Sequence, residues 1–146
     1  MKYGCQPWDP QFIKDISSLE RVQRKAARFC LDNYQPTASV TGTLRDLGWS
    51  SLESRRTIAR LNLVYKICHG IVDIDQNSYL RSHTNCGAKT RSSHNYEFLN
   101  ANAIKDVYFY SFFPHTLRMW NKIPKDIVES DSLETFKTKI SKYFAE

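Results

Sequence analysis

The sequence predicts a mainly α-helical protein, a small helical bundle with a minor extended or hairpin element near residues 96–110. Two observations carry the helical assignment. Apolar residues recur at steps of three and four over two long windows, near 11–31 and 51–69. Residues that start and stop helices bracket those windows. A third observation sets the scale: 146 residues with 41% hydrophobic and 25% charged side chains suit one globular domain spanning 1–146.

The elements follow in order. Asp9 and Pro10 read as an N-cap and a first-turn proline. Phe12, Ile13, Ile16, Leu19, Val22, Ala26, Phe29 and Cys30 form the apolar stripe of the first long helix. Its other face carries Lys14, Arg21, Arg24, Lys25 and Arg28. Pro36 pushes Gln35 out of helical geometry and ends that region. A short helix over 40–47 stops at Gly48. Ser50 and Glu53 have capping-box spacing at the head of the second long helix. Its stripe is Leu52, Ile58, Leu61, Val64, Tyr65, Ile67 and Cys68, and Gly70 closes it.

Residues 73–80 hold a short turn of helix. From 81 to 95 apolar residues vanish and Ser, Thr, Asn and Gly dominate, the composition of a mobile loop. Tyr96, Phe98, Val107, Tyr108, Phe109 and Tyr110 suit strands. Ser111 and Pro114 read as the cap and first turn of a helix near 112–122, which ends at Ile123-Pro124. The last helix, near 132–144, turns Leu133, Phe136, Ile140 and Phe144 inward and Lys137, Lys139 and Lys142 outward.

The formal charge is +6, from 21 basic and 15 acidic residues. Residues 1–73 hold 11 basic and 7 acidic groups, and residues 74–146 hold 10 and 8, so the excess leans toward the first half. A basic excess favours anionic partners, nucleic acid first, although many soluble basic proteins have none. No apolar run of about 18 residues is present, so no membrane span is expected, and the first residues have no signal-peptide pattern. An intracellular protein, nuclear or cytoplasmic, is expected. Cys5, Cys30, Cys68 and Cys86 contain no CxxC pair, and His83, Cys86 and His94 lack the fourth ligand of a structural zinc site. No metal or other cofactor is expected.

Two basic groups are candidates for phosphate contact. Arg21, Lys25 and Arg28 share a helix face, with Arg24 beside it. A solvated helix face is the plainer reading of that stripe taken alone. Arg55, Arg56 and Arg60 form the second group, and Arg55 has an alternative partner in Asp46. Trp8, Trp49 and Trp120 sit beside Pro or Gly or at element ends, where indoles anchor corners to a core more often than they stack on bases. The same discount applies to Tyr108, Phe109, Tyr110, Phe112 and Phe113. No nucleophile elbow or Gly-rich phosphate loop occurs, and Cys68 and His69, being adjacent on a helix, point about 100° apart. Neither an enzyme activity nor a small-molecule substrate is expected of this chain.

Several strings, in order, resemble the region that follows the polymerase core in non-LTR (LINE-type) retrotransposon reverse transcriptases. They are Tyr3-Gly4-Cys5 with Trp8-Asp9-Pro10, and Leu19-Glu20-Arg21-Val22-Gln23-Arg24-Lys25-Ala26-Ala27-Arg28-Phe29. Leu44-Arg45-Asp46-Leu47-Gly48-Trp49 follows, with Leu52-Glu53-Ser54-Arg55-Arg56 and Leu63-Val64-Tyr65-Lys66-Ile67. Tyr110-Ser111-Phe112-Phe113-Pro114, Trp120-Asn121-Lys122-Ile123-Pro124 and Phe136-Lys137 complete the set. Each string is weak alone, and the ordered set is more specific. Pro7 and Thr43 depart from it, where an aliphatic residue and Met are common.

The resemblance implies a post-thumb piece of a protein that carries an endonuclease and a reverse transcriptase and copies element RNA at nicked DNA. The paired palm aspartates and the terminal Cys/His knuckle of some relatives are missing here. The expected role is accessory binding of template RNA or target DNA through phosphate contacts by Arg21, Arg24, Lys25, Arg28, Arg55, Arg56 and Arg60. The upstream reverse-transcriptase domains are the other expected partners. The alternatives are a structural or protein-interaction module that brace the thumb, and a decayed reading frame with no selected role.

Overall fold

The computed structural model describes residues 9–32, 34–35, 39–81, 96–100 and 105–144. Among them the chain forms α1 (Ile13–Cys30), α2 (Val40–Asp46), α3 (Leu52–Cys68), α4 (Gln76–Tyr79), α5 (Asp106–Phe109), α6 (Phe112–Trp120), α7 (Lys125–Val128) and α8 (Leu133–Tyr143). No strand occurs among the described residues. The fold is the mainly helical bundle the sequence predicts.

The central element is α3, which packs against α1, α6 and α8. Its buried residues include Leu61, Val64, Tyr65 and Ile67. These join Leu117, Trp120, Ile123, Ile127, Val128, Phe136 and Ile140 in one core. The Tyr65 ring stacks on Phe136 at 4.4 Å between centroids. Its hydroxyl donates to the Ser130 carbonyl at 2.6 Å, which ties α3 to the turn before α8. Burial raises the Tyr65 phenol above its ordinary value, so it stays a neutral donor.

Two helices end where glycine permits a left-handed residue. Gly48 has φ +64 and Gly70 φ +62. After Gly48, Trp49 N–H donates to the Leu44 carbonyl at 2.8 Å, and after Gly70, Ile71 N–H donates to Lys66 at 2.8 Å. Both are Schellman closures, which satisfy carbonyls that the helix ends would otherwise leave open.

Three local expectations change. Asp9 does not cap α1; Phe12 holds the cap position without a side-chain bond, and Asp9 is drawn to arginines of α3. The cap of α3 is Ser51, whose hydroxyl accepts from Ser54 N–H at 3.0 Å, instead of Ser50. Glu53 N–H is satisfied by Glu20 of α1 at 3.0 Å, so the reciprocal capping box is replaced by a bond between helices. The extended element is confined to the stretch around Phe98, while 106–109 is helical. Trp120 Nε1 donates to the Tyr96 carbonyl at 2.8 Å, and the Asn121 side chain brackets Phe98 by accepting from its N–H and donating to its carbonyl. These three bonds hold the stretch around Phe98 against α6, and the β-preference of aromatic residues, which reflects a fit to half-buried surface, does not by itself make a strand of 106–109. The loop expected over 81–95 lies outside the described residues, apart from Arg81.

Candidate nucleic-acid interface

The face of α1 that meets the rest of the fold is narrow. Gln23 and Ala27 are its buried residues, and Gln23 Nε2 donates to the Ser50 carbonyl at 2.9 Å. At 3.6 residues per turn, Arg24, Arg28, Arg21, Lys14 and Lys25 fall within an arc of about 100° on the side away from that contact. They run along about 21 Å of helix axis at 1.5 Å per residue. Lys14, Arg21, Arg24 and Lys25 are exposed, and Arg28 is partly covered. Among the described residues, none of the five forms an ion pair.

Between this basic arc and the buried edge lies an apolar strip that the sequence assigns to the core. The structure leaves much of it in water: Val22 is 65% and Phe29 75% exposed. The strip descends into a groove of about 580 Å³ lined by Leu19, Val22, Ala26, Trp49, Leu52 and Arg55, among others. One helix thus presents a cationic band and an unpartnered apolar band side by side.

The second basic group separates. Arg56 and Arg60 turn inward, their side chains 9% and 5% exposed. Both pair with Asp9, Arg56 Nε at 2.8 Å from Oδ1 and Arg60 through Oδ2. Arg60 also lies 3.3 Å from His115 Nδ1 and donates to Thr57 Oγ1 at 3.3 Å. Burial, with Arg60 and Arg118 nearby, pushes His115 down to about 4, so it is neutral near pH 7 and its ring nitrogen can accept from Arg60. Two guanidiniums occupied this way cannot also serve phosphates, which removes Arg56 and Arg60 from the surface set. Arg55 stays partly exposed at the groove and makes no ion pair with Asp46 or any other described residue.

The remaining chemistry-bearing groups sort quickly. Burial pushes the Cys68 thiol up to about 12, which leaves it unreactive, and His69 stacks on Tyr65 at 3.9 Å. Among the described residues no group of three His, Cys, Asp or Glu side chains is placed to hold a metal ion. His83, Cys86 and His94, with Trp8, Cys5 and the Tyr3 string, lie outside the described residues. No described helix is long and apolar enough to cross a membrane.

A second concave feature escaped the sequence reading. Tyr79, Arg81, Asn100, Tyr108, Phe113 and Leu117 contribute to a cavity of about 700 Å³ at the meeting of α4, α5 and α6. Its residues are scattered over 40 positions of sequence, so no local pattern announces it. The chain matches no family model, no curated protein and no solved structure.

Proposed function

We propose that this chain is an accessory segment of a LINE-type reverse transcriptase that holds RNA or DNA by its phosphates. The observation that carries the binding reading is the arc of Lys14, Arg21, Arg24, Lys25 and Arg28, five cations on one helix face without carboxylate partners among the described residues. Such a band neutralises a phosphate backbone and sets its position without reading sequence. Arg55 extends the cationic surface beside the groove. The assignment to the retrotransposon family rests on the ordered strings, and it places the protein inside the cell, nuclear or cytoplasmic. In this reading the chain has no catalytic centre of its own and no small-molecule substrate.

The test is fluorescence anisotropy with short RNA and duplex DNA across a salt series. Four or five phosphate contacts give a log–log salt slope of roughly −3 to −4.5. Reversal of Arg24, Lys25 and Arg28 to Glu lowers affinity steeply and flattens the slope by about 2–3. A folded sample that binds neither nucleic acid at low salt rejects the reading, as does a reversal that leaves binding unchanged.

One observation favours a second reading, a module that braces the polymerase thumb. The apolar strip of Val22 and Phe29 is open, and a surface of that kind on an upstream domain would cover it. Mutations in the strip that abolish association with upstream domains, while RNA binding persists, would separate the two roles.

A further inference from the structure

The 700 Å³ cavity between α4, α5 and α6 has a composition that suits one ligand class. Its volume falls within the roughly 300–1,000 Å³ of ligand pockets. Tyr79 stacks on Phe113 with ring centroids 4.9 Å apart and planes within 13°. Tyr79 is nevertheless 55% exposed, so one side of the stacked pair remains open. Tyr108, 52% exposed, presents a further aromatic ring to the same space.

The polar groups around these rings are few. Among the described residues the lining contains no carboxylate, and Arg81 is its one charged side chain. Arg81 is exposed and forms no ion pair with a described residue. Asn100 contributes an amide whose oxygen lies 3.4 Å from Asn121 Nδ2, so its own NH₂ is available as a donor. The wall is fixed from behind. The bonds from Asn121 to Phe98 and from Trp120 to Tyr96 lock the extended stretch that bears Leu99 and Asn100, and Leu99 N–H donates to the Arg81 carbonyl at 2.8 Å.

We propose that this cavity receives one unpaired base of a single-stranded RNA or DNA, stacked on Tyr79 and flanked by Tyr108, with Arg81 taking an adjacent phosphate. The proposal rests on the nucleic-acid reading above and adds to it a preference for unpaired strands. Every base has a π-face, so stacking of this kind tolerates sequence. The open ring continues the Tyr79–Phe113 stack by one member. A guanidinium close to an aromatic platform pairs with the phosphate that each base carries, and the described lining places no carboxylate there to repel it. A duplex buries its base faces in its own stack and cannot enter. The basic arc of α1 treats duplex and single strand alike, whereas the cavity distinguishes them.

The experiment uses the full chain and a single-stranded RNA of about 12 nucleotides, with 2-aminopurine at one internal position. A blunt duplex of the same sequence is the control, and affinity is read by anisotropy and stacking by quenching of the 2-aminopurine. The wild-type chain should quench the single strand on binding. Tyr79→Leu keeps an apolar contact with Phe113 but removes the platform. It should abolish the quenching and weaken single-strand binding by roughly 5- to 150-fold, with duplex affinity held within about twofold. Tyr108→Leu should act in the same direction, and circular dichroism checks that both variants retain the wild-type helix content.

Salt-sensitive binding without quenching by the wild-type chain overturns the pocket and leaves the phosphate-holding reading intact. Equal losses for single strand and duplex in a folded Tyr79→Leu also overturn it. Absence of any binding by the folded wild-type chain overturns both readings.

Discussion

Asp9→Asn is the substitution that bears most directly on how the basic residues divide between structure and binding. It removes the carboxylate that Arg56 and Arg60 share. The two guanidiniums would stay buried, and arginine does not discard its proton to escape. Breaking a buried pair by loss of one partner costs about 3–5 kcal/mol. The Asp9 side chain is 17% exposed, so some water can reach the vacated side, and the low end, about 3 kcal/mol, is expected. For a chain of this size each kcal/mol moves Tm by about 2–4 °C, which gives a fall of about 6–12 °C. Urea and thermal melts followed by circular dichroism read this directly. RNA affinity of the folded Asp9→Asn chain should be unchanged. A loss below about 1 kcal/mol would refute the reasoning. So would an Arg60→Gln chain with an unaltered melt and weakened RNA binding, because it would return Arg60 to the binding surface.

Two further outcomes follow from the core. His115 is neutral in the fold and pushed down to about 4 from an ordinary value of 6.5, first by burial and then by Arg60 and Arg118. The unfolded chain therefore takes up this proton at higher pH than the folded one. The stabilisation is complete above about pH 6.5 and is lost as pH falls toward 4, to an extent of about 1–2 kcal/mol after allowance for solvent around a half-buried ring. Urea midpoints from pH 7 to 4.5 should show a shallower acid decline in His115→Gln than in the wild type, and equal declines would count against this origin. Tyr65→Phe keeps the stack on Phe136 but strips the Ser130 carbonyl of its 2.6 Å donor in a buried setting. A loss of about 1–3 kcal/mol by urea denaturation is expected, and no measurable change would mean that water replaces the hydroxyl.

The sequence by itself located the long helices and the glycine stops of two helices. Repeats of three and four locate α1 and α3, because a helix must gather its apolar residues on one side to bury them. Gly48 and Gly70 stop helices because a left-handed residue costs glycine nothing. Ser132 caps α8 by accepting from Thr135 N–H, again a local matter. The cationic arc of α1 was legible for the same reason, since helix geometry alone puts Arg21, Lys25 and Arg28 on one face.

Tertiary structure decided what those faces meet. Periodicity predicts an apolar stripe on α1 but cannot say that only its Gln23–Ala27 edge finds a partner and that Val22 and Phe29 stay in water. Arg56 and Arg60 look like surface cations by type, and their burial follows from Asp9, 47 residues from Arg56, arriving beside α3. Residues 106–109 favour strands by composition but form α5, while the hydrogen bonds from Trp120 and Asn121 serve the extended stretch around Phe98. The aromatic cavity joins Tyr79, Asn100, Tyr108 and Phe113 from three helices and a connecting stretch. Each of these depends on contacts between distant residues, which local patterns of charge and hydrophobicity do not encode.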